Sequence, residues 1–323
     1  MKKVLSLQNG DLPNGIQSCR PLPDPALEAL WDSIIIDEKT KSQLLSQAVL
    51  NFTIREKVGR NVLPLHGVIL LVGAPGTGKT SLARGLANRT AQSFKSNHFR
   101  LLEVEPHSLT SSAMGKTQRA VSDLFSQSIA EAATKGPIIV LLDEVETLAA
   151  DRSKMSLEAN PIDIHRATDA VLVQLDAIAE EFPQLLCVAT SNFPQAVDSA
   201  FTSRCDLLIE IPLPDREACG RILADCLLGL AKTYQSLGEL TASPHFDRCI
   251  AECVGLDGRA IRKTVANALA SSPQTAMDPN QVTIEHLLAA VKYAKANRVK
   301  ETKTKLLLWL AGPSVALLIE MRY

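Results

Sequence analysis

The sequence predicts an α/β fold, in which a five-stranded parallel sheet with flanking helices is followed by a small all-α domain. Five apolar runs of strand length alternate with helical patterns, as in a parallel sheet covered on both faces; they are 68–72, 99–104, 137–142, 185–189 and 207–211. After Pro212 and Pro214 the strand signals stop, and helical patterns cover 218–230, 246–254, 259–269 and 284–296. The sheet is therefore expected to end near residue 212.

These patterns divide the chain into four parts. Residues 1–24 are rich in Pro, Gly and Asn and are predicted to be an irregular leader. The large nucleotide-binding domain is predicted over 25–212, the helical domain over 213–300 and an apolar tail over 301–323. Because a helix needs about 20 uninterrupted apolar residues to cross a bilayer, the broken run 306–319 is predicted to pack or to bind a partner. A membrane tail anchor is the less favoured alternative, and no membrane contact is expected.

Composition narrows the class of protein. The 323 residues carry 34 Lys and Arg against 35 Asp and Glu, so no nucleic-acid partner is expected, although a balanced total can hide a local basic face. Seven cysteines occur without a Cys-x-x-Cys pair and are predicted to be buried thiols in a reducing compartment. The N-terminus lacks the apolar core of a signal peptide. Cytoplasmic location is expected, or nuclear location in a eukaryote.

A phosphate-binding loop follows the first apolar run. Its glycines let the backbone turn where a Cβ would clash, so that successive N–H groups converge on phosphate oxygens at a helix N-terminus. Lys79 is predicted to reach the β- and γ-phosphates of ATP, and the Thr80 hydroxyl to ligate Mg²⁺. The ATP-binding residues predicted in this segment are Gly73, Ala74, Pro75, Gly76, Thr77, Gly78, Lys79, Thr80 and Ser81.

A pair of carboxylates follows the third apolar run. The run 137–142 reads as a buried parallel strand, and it delivers Asp143 and Glu144 to the strand end where ligands sit in open α/β sheets. Asp143 is predicted to hold Mg²⁺, mostly through water, and Glu144 to polarise the attacking water. The alternative is that the two acids only cap the next helix. The phosphate loop upstream favours the catalytic interpretation.

Three polar residues further along resemble the remaining parts of an AAA+ ATPase site. Asn192 ends a strand and resembles the sensor residue that orients the lytic water, and Arg204 precedes the last strand and resembles the arginine finger that enters a neighbour's site. Arg259 starts a helix of the second domain and resembles the second sensor arginine, which implies that it binds ATP. For each arginine taken alone, a surface ion pair is the more ordinary interpretation. Their order around one phosphate loop favours the ATPase roles.

Several segments resemble one family of AAA+ proteins, the pachytene-checkpoint and thyroid-receptor-interactor ATPases. The resemblance covers roughly 25–298 and lies in Leu-Trp-Asp-Ser at 30–33, His-Ser-Leu at 107–109, Asp-Glu-Val-Glu-Thr-Leu at 143–148 and Thr-Ser-Asn at 190–192. It implies a homo-hexameric ring that remodels a HORMA-domain protein. It also implies that Ile34 and Ile35 lie near the adenine and that Arg152 faces a subunit interface.

Two departures from the family pattern concern the segments expected to bind the client, which is the HORMA-domain protein that the ATPase remodels. The family begins with a folded adaptor-binding domain of about a hundred residues, whereas only the short leader is expected before Pro25. The central pore loop of the family carries a Lys-Trp-Phe-like grip, whereas the aligned residues here are 111–115, Ser-Ser-Ala-Met-Gly. Met114 is either a weaker apolar grip or part of a loop without client contact.

Two functions from different classes fit these residues. The first is a ring that hydrolyses ATP at subunit interfaces and pulls on a HORMA-domain protein, with Lys79, Glu144, Asn192 and Arg204 as its catalytic residues. The alternative is a nucleotide-switched loader that acts on a DNA-replication or DNA-repair partner. The neutral charge and the lack of interleaved aromatic residues argue against the loader.

Overall fold

The computed structural model describes residues 12–95, 98–109, 116–151 and 161–311. The chain divides into two compact units, Met1–Pro212 and Leu213–Tyr323. The first unit contains a sheet with helices on both faces, and the described part of the second contains helices only. The α/β class and the change to helices after the last strand were both predicted from the sequence.

The sheet of the first unit has six strands in the order β1-β3-β4-β5-β2-β6. Neighbouring strands from β3 to β6 pair in parallel, which confirms the five predicted parallel strands. The strands are β1 Ile16–Leu22, β2 Val68–Val72, β3 Phe99–Val104, β4 Ile138–Leu142, β5 Leu185–Ser191 and β6 Leu207–Glu210.

The first strand corrects the prediction of an irregular leader over 1–24. β1 runs antiparallel to β3, with Ile16 opposite Val104 and Leu22 opposite Phe99. An edge strand pairs on one side only, so it tolerates Pro21, which has no N–H to donate. The local abundance of Pro and Gly therefore concealed a strand whose partner lies about 80 residues away.

The apolar side chains of the central strands form two cores, one on each face of the sheet. Alternate residues point to opposite faces, so that Leu70 and Val140 join one core while Ile69 and Ile139 join the other. β2, β4 and β5 are buried over their whole length, which explains why these strands are almost continuously apolar.

Helices cover both faces of this sheet. They are α1 Glu28–Ser33, α2 Glu38–Ile54, α3 Lys79–Gln92, α4 Lys116–Asp123, α5 Ala130–Thr134, α6 Pro161–Glu181 and α7 Ser199–Thr202, with a π-helical turn at Leu124–Ile129 between α4 and α5. α1 packs closely on α3, because a Cβ on Gly85 would lie only 2.6 Å from the backbone nitrogen of Trp31. Glycine at this position lets the N-terminal helix lie against the helix that carries the phosphate loop.

The second unit is a helical domain. Its helices are α8 Arg216–Ala231, α9 Ser236–Glu239, α10 Phe246–Cys253, α11 Gly258–Leu269, α12 Pro273–Met277 and α13 Ile284–Ala311. Asp215 and Asp257 cap α8 and α11 by accepting hydrogen bonds from backbone N–H groups of the first turn. None of the helices in the described ranges is long and apolar enough to cross a membrane. The predicted packing of the apolar tail concerns residues that lie mostly outside those ranges.

Candidate active site

Three parallel strands bring the candidate residues to one edge of the sheet. β5 lies between β4 and β2, with Ala189 opposite Leu142 and Ser191 opposite Val72. The residues that follow these strands therefore meet at the carboxyl edge, which is where ligands bind in open α/β sheets. The phosphate loop follows β2, the two carboxylates follow β4, and Asn192 follows β5.

The phosphate loop is shaped by glycines in left-handed or related backbone conformations. Gly76 and Gly78 have φ values of 82° and 93°, which side-chain-bearing residues rarely adopt. Gly78 also forms the N-cap of α3, so the unpaired N–H groups of the first turn of that helix border the loop. A Cβ on Gly78 would overlap the side chain of Ile34, which places the segment after α1 against the loop.

Lys79 is held inside the loop. Its side chain is buried, and Nζ donates hydrogen bonds to the carbonyl oxygens of Gly73 (2.9 Å) and Ala74 (3.0 Å) and to Oδ1 of Asn192 (2.8 Å). The ammonium group is therefore fixed between the loop backbone and the end of β5. A fixed ammonium group attracts phosphate oxygens, and the predicted contact of Lys79 with the β- and γ-phosphates stays a prediction.

Thr80 and Asp143 form the candidate metal site. The Thr80 hydroxyl donates to Asp143 Oδ1 over 2.8 Å, and the buried Thr190 hydroxyl donates to the same oxygen. A hydroxyl and a carboxylate are hard oxygen ligands of the kind that Mg²⁺ takes when it is also bound by phosphates and water. The donor set fits Mg²⁺, and the assignment of Thr80 and Asp143 as its ligands stays a prediction.

Glu144 occupies the centre of a hydrogen-bonded chain. Asn192 Nδ2 donates to Glu144 Oε1 over 2.9 Å, and His107 Nε2 hydrogen-bonds Glu144 Oε2 over 2.7 Å. Asn192 thus bridges the lysine of the phosphate loop and the carboxylate that was predicted to polarise water. The backbone of Glu144 is left-handed, with φ 53° and ψ 53°, which turns the chain sharply after β4.

Arg204 is paired within its own chain. Its guanidinium donates to both carboxylate oxygens of Asp176, over 2.9 and 2.7 Å, and to the carbonyl oxygen of Ala200 over 2.8 Å. This pair lowers the pKa of Asp176 and raises the pKa of Arg204. The contacts of Arg204 are with α6 and α7 rather than with the phosphate loop, so its predicted action in a neighbouring site stays a prediction.

The remaining predicted residues are less closely defined. Ile35 is half-buried and follows Ile34 directly. Arg259 lies in the first turn of α11 and is exposed within the helical domain, so its predicted contact with ATP stays a prediction. The predictions for Arg152 and for the pore loop 111–115, including Met114, concern residues outside the described ranges.

Sequence reasoning did not identify several supporting contacts. Glu146 Oε1 accepts the backbone N–H of Asn192 over 3.1 Å, and His107 reaches Glu144 from the turn after β3. Asp176, which holds Arg204, carries no recognisable motif. Glu146 and His107 both belong to segments that resemble the family, but their partners are distant in sequence, and nothing in the local spacing indicates the contact.

Comparisons with known proteins identify the family of the chain. The family model described as "ATPase family associated with various cellular activities (AAA)" matches residues 69–213. A "CD-NTase-associated protein 6" from Pseudomonas aeruginosa is 69% identical over 294 residues, which is 91% of this chain and 97% of that protein. A "Pachytene checkpoint protein 2 homolog" from Xenopus tropicalis is 32% identical over 308 residues, which is 87% of this chain and 69% of that protein.

A solved structure has the same fold. In the "Structure of E. coli MS115-1 HORMA:CdnC:Trip13 complex", the matching chain superposes with a TM-score of 0.68. It is 20% identical, and the match covers 90% of this chain and 97% of that one. This likeness confirms the predicted fold.

Proposed function

Because the chain belongs to the AAA ATPases and, within them, to the family of the pachytene checkpoint protein 2 homologues, we propose that it hydrolyses ATP to convert or disassemble a HORMA-domain protein. The sequence resemblance to HORMA remodellers supports this client class. A chain of this fold has also been solved together with a HORMA protein. The relative from Pseudomonas aeruginosa is named "CD-NTase-associated protein 6". This name supports a client that belongs to an assembly with a CD-NTase.

The observation that carries the proposed ATPase chemistry is the bridge through Asn192. Its amide side chain joins Lys79 Nζ, over 2.8 Å, to Glu144 Oε1, over 2.9 Å. In an in-line reaction, the carboxylate that polarises water lies on the side of the γ-phosphorus opposite the bond that breaks, and the lysine contacts the β- and γ-phosphate oxygens. A side chain that contacts both can hold them at a fixed separation, which is the positioning that phosphoryl transfer requires.

In the proposed reaction, water attacks the γ-phosphorus of ATP in line with the bond to the leaving ADP. Glu144 orients and polarises this water, Asn192 fixes Glu144, and Lys79 stabilises the charge that develops on the phosphate oxygens. Thr80 and Asp143 would hold Mg²⁺, which neutralises phosphate charge when bound. The loop N–H groups bind the phosphates through the N-terminus of α3.

We propose that the active form is a ring, with a hexamer as the expected size. Arg204 makes its contacts on α6 and α7, and its proposed target is the γ-phosphate bound by a neighbouring copy of the chain. An arginine supplied in this way stabilises the transition state by spreading positive charge over the phosphate oxygens. Each site would therefore be complete only between two subunits.

We also propose a reducing compartment, with the cytoplasm as the expected location. The seven cysteines are all free thiols, and four of them are buried. Burial raises the pKa of Cys187, Cys205 and Cys253 to about 12, so these thiols are expected to be unreactive.

The substitution Glu144→Gln tests both the activity and the client. It should abolish turnover but retain ATP binding, because the amide keeps the hydrogen-bonding shape of the site and cannot polarise water in the same way. A tagged E144Q protein with ATP should form stable rings and retain a HORMA-domain protein. Glu56→Gln, at an exposed residue of the same unit, is the matched control and should behave as the wild type.

Two results would contradict the proposal. Unchanged ATP hydrolysis by E144Q would remove Glu144 from the chemistry. Retention of a replication or repair factor, together with salt-dependent DNA affinity, would favour the nucleotide-switched loader instead.

A further inference from the structure

The hydroxyl of Thr190 contacts both halves of the candidate active site. Thr190 Oγ1 donates a hydrogen bond to Asp143 Oδ1, and it accepts the backbone N–H of Glu144 over 3.1 Å. The residue is only 1% exposed, so water does not compete with either bond. The single proton of this hydroxyl is therefore donated to Asp143, the candidate metal ligand, and one of its lone pairs accepts the N–H of Glu144, the residue predicted to polarise water.

The sheet register places Thr190 at this point. Leu142, the last residue of β4, lies opposite Ala189 of β5, so Asp143, which follows β4, lies beside Thr190. The preceding residues of β5 are apolar, and Thr190 is the first polar side chain at the point where the strand reaches the site. A hydroxyl is not needed to fill this buried space, since valine has nearly the same shape.

The contact with Glu144 explains how an unusual backbone conformation is held. Glu144 is the only residue other than glycine with a positive φ within the described ranges. Left-handed backbone is unfavourable for a residue with a Cβ, and it persists where surrounding contacts fix it. The Thr190 hydroxyl supplies such a contact directly at the Glu144 N–H. The turn at Glu144 in turn sets the direction in which its side chain leaves the strand.

We propose that Thr190 is a positioning residue for ATP hydrolysis, whose hydroxyl fixes the Asp143 carboxylate and the Glu144 backbone together. This inference rests on the proposed ATPase function. Asp143 Oδ1 accepts from both Thr80 and Thr190, so two hydroxyls fix this carboxylate oxygen. Loss of the Thr190 hydroxyl would remove one contact from the Asp143 carboxylate and one from the Glu144 backbone at the same time, although the side chains of Asp143 and Glu144 would not be changed.

The test compares Thr190→Val, which keeps the shape and removes the hydroxyl, with Thr190→Ser, which keeps the hydroxyl. For T190V we expect kcat to fall by about tenfold to a hundredfold, because small displacements of catalytic groups have effects of this size. The KM for ATP should change little, since the phosphate loop is untouched. T190S should retain most of the wild-type kcat.

A binding measurement distinguishes an effect on Mg²⁺ binding from an effect on ATP hydrolysis. A fluorescent non-hydrolysable ATP analogue is titrated with and without Mg²⁺. Without Mg²⁺, T190V should bind the analogue as the wild type does. With Mg²⁺, T190V should require a higher metal concentration for half-maximal binding, and T190S should not.

Three outcomes would overturn the inference. They are a wild-type kcat and Mg²⁺ requirement in T190V, an equal loss in T190S and T190V, and a T190V protein that loses binding without Mg²⁺ as well. If T190V does not fold, Thr190→Cys replaces it, and kcat should fall in the order Thr, Ser, Cys. If the wild type itself hydrolyses no ATP, the proposed function fails and the role of Thr190 in hydrolysis fails with it, whereas the Mg²⁺ dependence of analogue binding still shows whether the Thr190 hydroxyl fixes Asp143.

Discussion

Asp176 holds the guanidinium of Arg204 through two hydrogen bonds, one from Nε over 2.9 Å and one from Nη2 over 2.7 Å. Nη1 donates to the Ala200 carbonyl oxygen over 2.8 Å. A guanidinium carries five N–H donors, and three of them are engaged with these described partners. The other two are oriented by this fixed plane, so the guanidinium of Arg204 is held in one orientation.

The predicted action of Arg204 in a neighbouring site can be tested by mixing subunits. Arg204→Ala alone should lower turnover by about 10³-fold or more, by comparison with other phosphoryl-transfer enzymes that use an arginine finger. Glu144→Gln alone should also be inactive. A mixture of the two proteins should regain part of the ATPase activity, because an R204A site can receive Arg204 from an E144Q neighbour. An inactive mixture that still forms rings would place Arg204 outside the neighbouring site.

Asp176→Asn should weaken the orientation of Arg204 without removing the arginine. We expect a smaller fall in kcat than for R204A, and little change in the KM for ATP, because the phosphate loop does not contact Asp176. Steady-state kinetics on both variants checks this order. Glu180→Gln, at an exposed residue of α6, is the control. A D176N enzyme as slow as R204A, or as fast as the wild type, would contradict a purely orienting role.

Because His66 is partly buried, we expect the free energy of unfolding to depend on pH below about pH 6.5. Burial is the main cause that lowers its pKa below the ordinary 6.5, and Arg60 adds to this effect, while Asp206 and Asp176 oppose it and Arg204 contributes a further small lowering. The unfolded chain therefore binds more protons than the folded one between the folded pKa and 6.5. Stability should rise with pH through this window and fall as the solution is acidified.

Thermal unfolding of the wild type and of His66→Gln between about pH 5 and pH 8, a range that includes the ordinary titration of histidine, checks this dependence. The variant should lose part of the slope on the acidic side. His245→Gln, at an exposed position of the helical domain, should keep the wild-type slope. A steeper slope in H66Q would reverse the sign assigned to His66.

Gly78→Ala should impair ATP binding. The methyl group would overlap Ile34, and alanine is disfavoured at a φ of 93°. Gly229→Ala is a matched control, because that glycine lies within α8 with no atom within 4 Å of the new Cβ. It should raise the free energy of unfolding by up to about 1 kcal/mol. Titration with labelled ATP and thermal unfolding measure the two effects. Wild-type ATP affinity in G78A would contradict the assigned loop geometry.

The parts of the site that could be predicted from sequence are those that depend on local spacing and strand order. The glycines and Lys79 lie in one short motif, and Asp143 and Asn192 each follow an apolar strand. The rule that ligands bind at the carboxyl edge of parallel strands then predicts that they meet, and Lys79 does contact Asn192 although 113 residues separate them.

Contacts that depend on how helices and turns pack could not be predicted. Asp176 is one of many acids on α6, and only the packing of α6 beside α7 selects it as the partner of Arg204. The contact between His107 and Glu144 depends likewise on the turn after β3. β1 was missed because strand propensity is a weak signal where the partner strand supplies the pairing.

The position of β1 also has a consequence for solubility. β1 covers the outer edge of β3, which would otherwise offer a row of unpaired backbone groups to a strand of another molecule. β1 itself is the edge strand on this side of the sheet, and it carries Pro21 and the charged Arg20. The edge strand on the other side is the four-residue β6, which ends at the exposed Glu210. Short strands, proline and charge discourage strand addition from outside. The two borders of the sheet are thus protected against aggregation.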